Sequence, residues 1–128
     1  MLSKKLLDKL REDKKTKDLQ YAKRMNEKLI ISIDYDNTFT ADTKGWAAVI
    51  AILREFGHTV ICVSARENTE RNREQIEGDL PNTVVLLTTS QPKAEFARKS
   101  GYEISIWIDD CPQAIPSREE CLCYHGNP

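Results

Sequence analysis

The sequence predicts an α/β protein: a single Rossmann-like three-layer domain with a mainly parallel sheet, preceded by a charged N-terminal helix. From residue 29 onward, short apolar runs typical of strands alternate with longer segments typical of helices. Such alternation favours parallel strands joined by right-handed helical crossovers, with helices on both faces. The chain has 128 residues, of which 40% are hydrophobic, so it can bury one core of ordinary size.

Residues 1–28 are predicted to form a basic helical arm, and residues 29–128 the α/β domain. Leu2, Leu6 and Leu10 recur at four-residue spacing, and a second short apolar stripe follows a polar stretch. The arm carries ten Lys or Arg residues against five Asp or Glu, whereas the rest carries nine against fifteen. Such an arm could pack on the domain, pair with another copy, stay partly frayed or attract nucleic acid, although most charged helices simply present a solvated face.

The first two predicted strands flank an amphipathic helix. Residues 29–33 are a β-branched apolar run that ends abruptly at Asp34, as expected of a strand buried on both faces. A helix is predicted over residues 43–56, with apolar side chains on one face and Gly57 as its end. Residues 59–63 form the second predicted strand.

The second half of the domain repeats this alternation. Polar residues 67–77 predict a helix that Gly78 helps to end, and residues 83–88 predict the third strand. Residues 92–100 predict another helix, because their first residue is a proline and prolines are favoured in a first helical turn. Residues 104–108 predict the fourth strand.

Three of the predicted strands bring polar groups to the same edge of the sheet. Asp34, Ser64 and Asp109 each stand at the carboxyl end of a strand, where parallel sheets form their ligand crevice. Asp36 adds a second carboxylate from the first of these turns, and Asp110 follows Asp109. Because buried like charges repel, the cluster favours a bound cation, and its oxygens suit a hard ion such as Mg²⁺.

Ser64 and Lys93 are the candidates for binding a phosphate group. Ser64 offers a hydroxyl, and Lys93 offers a compact positive charge in the first turn of its helix. Arg66 and Lys99 are alternative cations, and the position at a helix start favours Lys93. Taken singly, either acidic pair could still be an ordinary turn or an ordinary helix start.

With these motifs in this order, the sequence resembles the haloacid dehalogenase-like (HAD) superfamily of phosphohydrolases, in its small capless type. The signature of that superfamily is an apolar strand followed by Asp-x-Asp-x-Thr. Its four motifs are matched in order by Asp34, Asp36 and Thr38, then Ser64, then Lys93, then Asp109 and Asp110. The resemblance covers roughly residues 29–116 and rests on four motifs rather than one.

The resemblance implies a Mg²⁺-dependent phosphatase. Asp34 would attack phosphorus and form an aspartyl-phosphate, which water then hydrolyses. Asp36 would protonate the leaving oxygen and later take a proton from that water. The metal would be held by the side chains of Asp34 and Asp109, the backbone carbonyl of Asp36, and Asp110 as a ligand or an outer partner. The phosphate oxygens would be bound by Asn37, Thr38, Ser64 and Lys93.

The connections after the first and second motifs are too short to hold a cap domain, so an open site is expected. Capless members resembling this chain act on large phosphorylated substrates or use a neighbouring subunit as a lid. A phosphorylated substrate is therefore implied, with nucleotide or nucleic-acid phosphates slightly favoured, and the N-terminal helix could support a homo-oligomer. Asn37 departs from the glycine frequent in the family. Two alternatives stay open: a phosphotransferase of the same fold, and a non-catalytic phosphate-binding module, against which Asp36 argues.

The remaining cluster of interest consists of Cys111, Cys121, Cys123 and His125. It could bind zinc, but residues 121–125 also fit an edge strand, which is the favoured interpretation. The cysteines are expected to be reduced and the protein cytoplasmic, because no apolar core of an export signal follows the basic start. No run approaches the roughly 18 apolar residues of a membrane span, so no membrane association is expected.

Overall fold

Within the described residues, the sheet contains four strands: β1 (Ile30–Ile33), β2 (Thr59–Ser64), β3 (Val85–Leu87) and β4 (Ile106–Ile108). They are all parallel and lie in the order β3-β2-β1-β4. This computed structural model describes residues 3–25 and 27–117, except for the side chains of residues 21–25. The parallel pairing of all four strands confirms the expected parallel α/β fold.

In the same part of the chain, four α-helices precede or alternate with these strands: α1 (Lys4–Met25), α2 (Thr43–Glu55), α3 (Glu70–Asp79) and α4 (Lys93–Lys99). Short 3-10 helices cover Phe39–Ala41 and Pro112–Ala114. The chain moves outward from β1 through β2 to β3 and then returns to β4 on the other side of β1. With right-handed crossovers, α2 and α3 cover one face of the sheet and α4 covers the other. This arrangement is consistent with a Rossmann-like three-layer fold.

The core lies on both faces of the central strands. Ile33 pairs with Cys62 in the register of β1 and β2, and both side chains are completely buried in a cluster that includes Ile50 of α2 and Ile76 of α3. Ile61, on the opposite face of β2, is also completely buried. Full burial of one such aliphatic side chain contributes about 1.5–3 kcal/mol. The β-branched runs that predicted the strands are therefore also what holds the layers together.

The expected boundaries of α3 were wrong at both ends. The helix begins at Glu70 because the Thr69 hydroxyl accepts the backbone N–H of Asn72 as an N-cap, and residues 67–68 precede it as a loop. Gly78 lies inside the helix rather than ending it. The strands β3 and β4 are also shorter than expected, because their ladder pairing covers only three residues each.

The N-terminal helix α1 is one continuous helix that runs through the polar stretch between the two apolar stripes. Lys, Arg, Glu and Leu all have high helix propensity, so polarity alone does not interrupt it. Its side chains from residue 3 to residue 20 are exposed, including Leu6, Leu10 and Leu19. None of the helices in the described part of the chain is long and apolar enough to cross a membrane.

Candidate functional site

The loop after β1 is folded tightly by its own backbone. Asp34 donates its N–H to the carbonyl of Ile108 in β4, and its own carbonyl accepts the N–H of Phe39. Asn37 has a φ of 60°, in the left-handed region that favours Gly and Asn. Asparagine can therefore supply the turn for which a glycine would otherwise be used. The result is a buried Asp34 side chain at the carboxyl edge of the sheet.

Lys93 joins the two strand ends that carry the acidic motifs. Its Nζ lies 2.9 Å from Oδ1 of Asp34 and 2.5 Å from Oδ2 of Asp109. All three side chains are less than a tenth exposed. Burial opposes the charged ammonium, but the hydrogen bonds to Asp109 and Asp34 outweigh it and raise the pKa of Lys93. Burial raises the pKa of Asp34, and Lys93 works in the opposite direction.

Three carboxylates in this place have the geometry of a cation site. One oxygen each from Asp34, Asp109 and Asp110 lies within 4.8 Å of the others. Thr38 holds this arrangement together, because its hydroxyl accepts the N–H of Asp110 at 3.1 Å and can donate to a carboxylate of Asp34 or Asp110. With Lys93 counted, the cluster carries a formal surplus of two negative charges, which a divalent cation would balance.

Asp36 is not part of this cluster and pairs with Arg66 instead. The guanidinium donates from Nε and Nη2 to the two oxygens of Asp36, each at 2.8 Å. This forked pair lowers the pKa of Asp36, since the hydrogen bonds favour the ionised carboxylate. Nearly half of the Asp36 side chain is exposed, so a molecule from solvent can approach it. The Asp36 carboxylate is therefore ionised and accessible at neutral pH.

Arg66 is itself held by the elements around it. Its Nη1 donates to Gln75 at 2.8 Å and to Asn72 at 3.3 Å, both on α3. Its guanidinium carbon lies 5.1 Å above the centre of the Tyr35 ring, a cation–π distance. Tyr35 is buried and donates its hydroxyl proton to Asp79 at the end of α3. The guanidinium is thus held by the Tyr35 ring against one of its faces and by the side chains of α3 at its edge.

The loop between β3 and α4 supports the loop that carries Arg66. Thr89 and Ser90 have φ values of 52° and 64°, which are costly for residues with a side chain. Their N–H groups donate to the carbonyls of Arg66 and Ala65 at 3.0 Å. Thr88 has a buried hydroxyl with no hydrogen-bond partner among the described residues. Local strain is therefore concentrated beside the site.

The structure brings five of the eight sequence-predicted residues into direct contact: Asp34, Thr38, Lys93, Asp109 and Asp110. Ser64 is buried at the end of the neighbouring strand, and its hydroxyl accepts the N–H of Arg66. Asn37 is exposed and donates its N–H to the Thr40 hydroxyl, so this amide has a partner within its own loop.

Of the alternative cations, Lys99 pairs with Glu95 on the exposed side of α4. Sequence reasoning missed the supports of Arg66 on α3, since no local pattern reveals which helix side chains meet a loop residue. Cys111 is exposed. Cys121, Cys123 and His125, and with them the zinc and edge-strand alternatives, lie outside the described residues.

Comparison of the chain with models of protein families, with curated proteins and with solved structures finds no match. The chemistry of the site must therefore be inferred from its own residues.

Proposed function

We propose that the chain is a Mg²⁺-dependent phosphatase of the HAD-like type, which hydrolyses phosphomonoesters through an aspartyl-phosphate at Asp34. The observation that carries this proposal is the buried contact of Lys93 with Asp34 and Asp109. A buried lysine bridging two carboxylates beside a third is costly to build for stability alone, because desolvation offsets much of the Coulomb attraction. The same groups are what phosphoryl transfer requires: a fixed nucleophile and positive charge beside it.

Asp34 is the proposed nucleophile because both of its oxygens are positioned. Oδ1 is held by Lys93, and Oδ2 lies 3.3 Å from the Thr38 hydroxyl. A carboxylate oxygen of Asp34 forms a bond to phosphorus while the bond from phosphorus to the leaving oxygen breaks, which gives the aspartyl-phosphate. Lys93 offsets charge on the transferring phosphoryl oxygens, and Ser64 donates its hydroxyl proton to one of them.

Asp36 is the proposed acid and base. In the second step, its carboxylate takes a proton from the water that attacks the aspartyl-phosphate. The pair with Arg66 favours the ionised form that this step needs. In the first step, Asp36 must carry a proton to the leaving oxygen, and Arg66 disfavours that state. We therefore expect leaving groups that need no proton, such as p-nitrophenolate, to depend least on Asp36.

The carboxylates of Asp34, Asp109 and Asp110 would hold the Mg²⁺ ion, together with the backbone carbonyl of Asp36. The donor set fits, because all of these ligands are oxygens and the carboxylates converge within 4.8 Å. When bound, the ion supplies positive charge that offsets the charge of the phosphoryl group.

The short connections around the site support a large or loosely enclosed substrate. Only the 3-10 helix Phe39–Ala41 lies between Asp36 and α2, and only α3 and β3 lie between Ser64 and Lys93. No inserted domain therefore covers the carboxyl edge of the sheet from these connections. We propose nucleotide or nucleic-acid phosphates as the preferred class, which the basic arm would attract electrostatically.

The direct test is phosphate release from p-nitrophenyl phosphate, an alkyl phosphate, nucleotides, phosphopeptides and phosphorylated oligonucleotides, with Mg²⁺ or with EDTA. Asp34→Asn should abolish release, whereas Asp8→Asn, on the exposed face of α1, should retain it. Asp36→Asn should lower kcat/KM for the alkyl phosphate by about 10²–10⁴-fold and for p-nitrophenyl phosphate far less. Full activity of Asp34→Asn, or no release from any compound, would contradict the proposal.

A further inference from the structure

Arg66 has a hydrogen-bonding capacity that its structural contacts do not exhaust. Nε and one N–H of Nη2 serve Asp36, and the two N–H groups of Nη1 serve Asn72 and Gln75. A guanidinium has five N–H donors, so one donor on Nη2 has no partner within the described part of the chain. About a quarter of the Arg66 side chain is exposed, and nearly half of the Asp36 side chain that it pairs with. A positive charge and an unused donor therefore lie beside the accessible Asp36.

We propose that Arg66 recognises the leaving group, and that the site selects phosphomonoesters whose leaving group carries a second phosphate. This inference rests on the proposed function, which brings the leaving oxygen to Asp36. A proton donor must lie about 3 Å from the oxygen that it serves, and Arg66 lies 2.8 Å from Asp36. The leaving oxygen thus lies within about 6 Å of the guanidinium. An anion carried by a neighbouring carbon of the leaving group, or by the next sugar carbon, would come within reach of Arg66 from there.

The guanidinium is also suited to this task in shape and rigidity. Its planar fork matches the oxygens of phosphate better than an ammonium does. It is held by α3 and by the Tyr35 ring, and its loop is held by the strained Thr89 and Ser90. Such a preorganised cation loses little entropy when it binds an anion. Strained residues that hold a binding loop in place are a common property of ligand sites.

The preference can be measured with three ligands that share one nucleoside: the 5′-monophosphate, the 3′,5′-bisphosphate and a 5′-phosphorylated dinucleotide. The last two differ in whether the second anion is a phosphomonoester or a phosphodiester. We expect the wild type to show a kcat/KM about tenfold to hundredfold higher for both than for the monophosphate, as one charge-assisted contact provides. Arg66→Gln should reduce this ratio to near one, and Arg66→Lys should keep part of it.

Arg71→Gln is the matched control, because Arg71 is an exposed arginine of α3 outside the site. It removes the same charge and should keep the full ratio, which separates recognition by Arg66 from general attraction by positive charge. Thermal melting of each variant checks that it is folded.

The outcome for this inference is separate from the outcome for the proposed function. Turnover that Asp34→Asn abolishes, with equal kcat/KM for all three ligands, would overturn the inference and leave the phosphatase proposal standing. If no ligand is turned over, calorimetric affinities of the wild type and Arg66→Gln for the same ligands decide. Equal affinities in the wild type, or a preference that survives Arg66→Gln, would then overturn it.

Discussion

Replacement of Lys93 by methionine tests the electrostatic balance of the site most directly. The change keeps an unbranched side chain of similar size but leaves Asp34 and Asp109 buried without their shared cation. Breaking a buried ion pair by removing one partner costs about 3–5 kcal/mol. With a urea dependence of about 1–3 kcal/mol per molar for a small domain, the unfolding midpoint should fall by roughly 1–5 M.

The measurement is equilibrium urea unfolding at pH 7 in EDTA, followed by tryptophan fluorescence and circular dichroism. Lys99→Met is the matched control on the same helix, because its exposed pair with Glu95 is worth at most about 0.5 kcal/mol.

The pH dependence of the stability of Lys93→Met has a definite sign. Burial raises the pKa of Asp34, and Lys93 limits the rise. In Lys93→Met the pKa of Asp34 should rise further. The variant should therefore lose stability as pH rises through this raised pKa.

The deficit of Lys93→Met relative to the wild type should therefore shrink as pH falls from 7 toward 3.8, the ordinary value for Asp. A loss no larger than that of Lys99→Met would refute the reasoning, since it would mean that the two buried carboxylates need no counter-charge. A deficit that stays constant with pH would refute the assignment of the cost to the ionised carboxylates.

Three further predictions concern single side chains. Burial raises the pKa of the Cys62 thiol to about 12, so iodoacetamide at pH 8 should label the exposed Cys111 of the native protein but not Cys62. Mass spectrometry maps the labelled sites, and labelling of both would contradict the burial of Cys62. Arg66→Gln should cost up to about 1 kcal/mol at pH 7. The cost should diminish as pH falls below 3.8, the ordinary value for Asp, because the lowered pKa of Asp36 contributes stability that is lost as the carboxylate is protonated. Urea unfolding at pH 7 and at pH 3 measures this, and an equal cost at both would count against the pair. Asn37→Gly should leave urea stability nearly unchanged, whereas Asn37→Val should cost about 1–2 kcal/mol, because φ is 60° there; equal effects of the two would rule out backbone strain at this position.

The strands and the acidic strand ends could be predicted from the sequence because their signals are local. Ile30–Ile33 is a buried run followed at once by Asp34, and parallel pairing brings Asp109 to the same edge without further information. The start of α3 could in principle be predicted, since Thr69 is a favoured N-cap residue. The residues on both sides of Thr69 are polar, so composition alone does not mark the boundary.

The partners of the site residues could not be predicted in the same way. The hydroxyl of Thr38 bonds to Asp110, far along the chain, and Asp36 pairs with Arg66 from the next loop. These contacts depend on how loops of irregular conformation approach one another, and the positive φ values at Thr89 and Ser90 have no glycine to signal them. The sequence therefore predicts where the polar groups gather better than it predicts which atoms meet.

The parallel sheet separates the site from the turns at its other edge. The acidic residues and Lys93 all gather at the carboxyl ends of the strands, whereas residues 56–58, 81–84 and 101–105 connect helices to the amino ends. Length changes in these distal turns need not disturb any hydrogen bond of the site. The fold can therefore diversify on one edge, by acquiring tags, partner-binding segments or extra helices, while the geometry of the other edge is inherited intact.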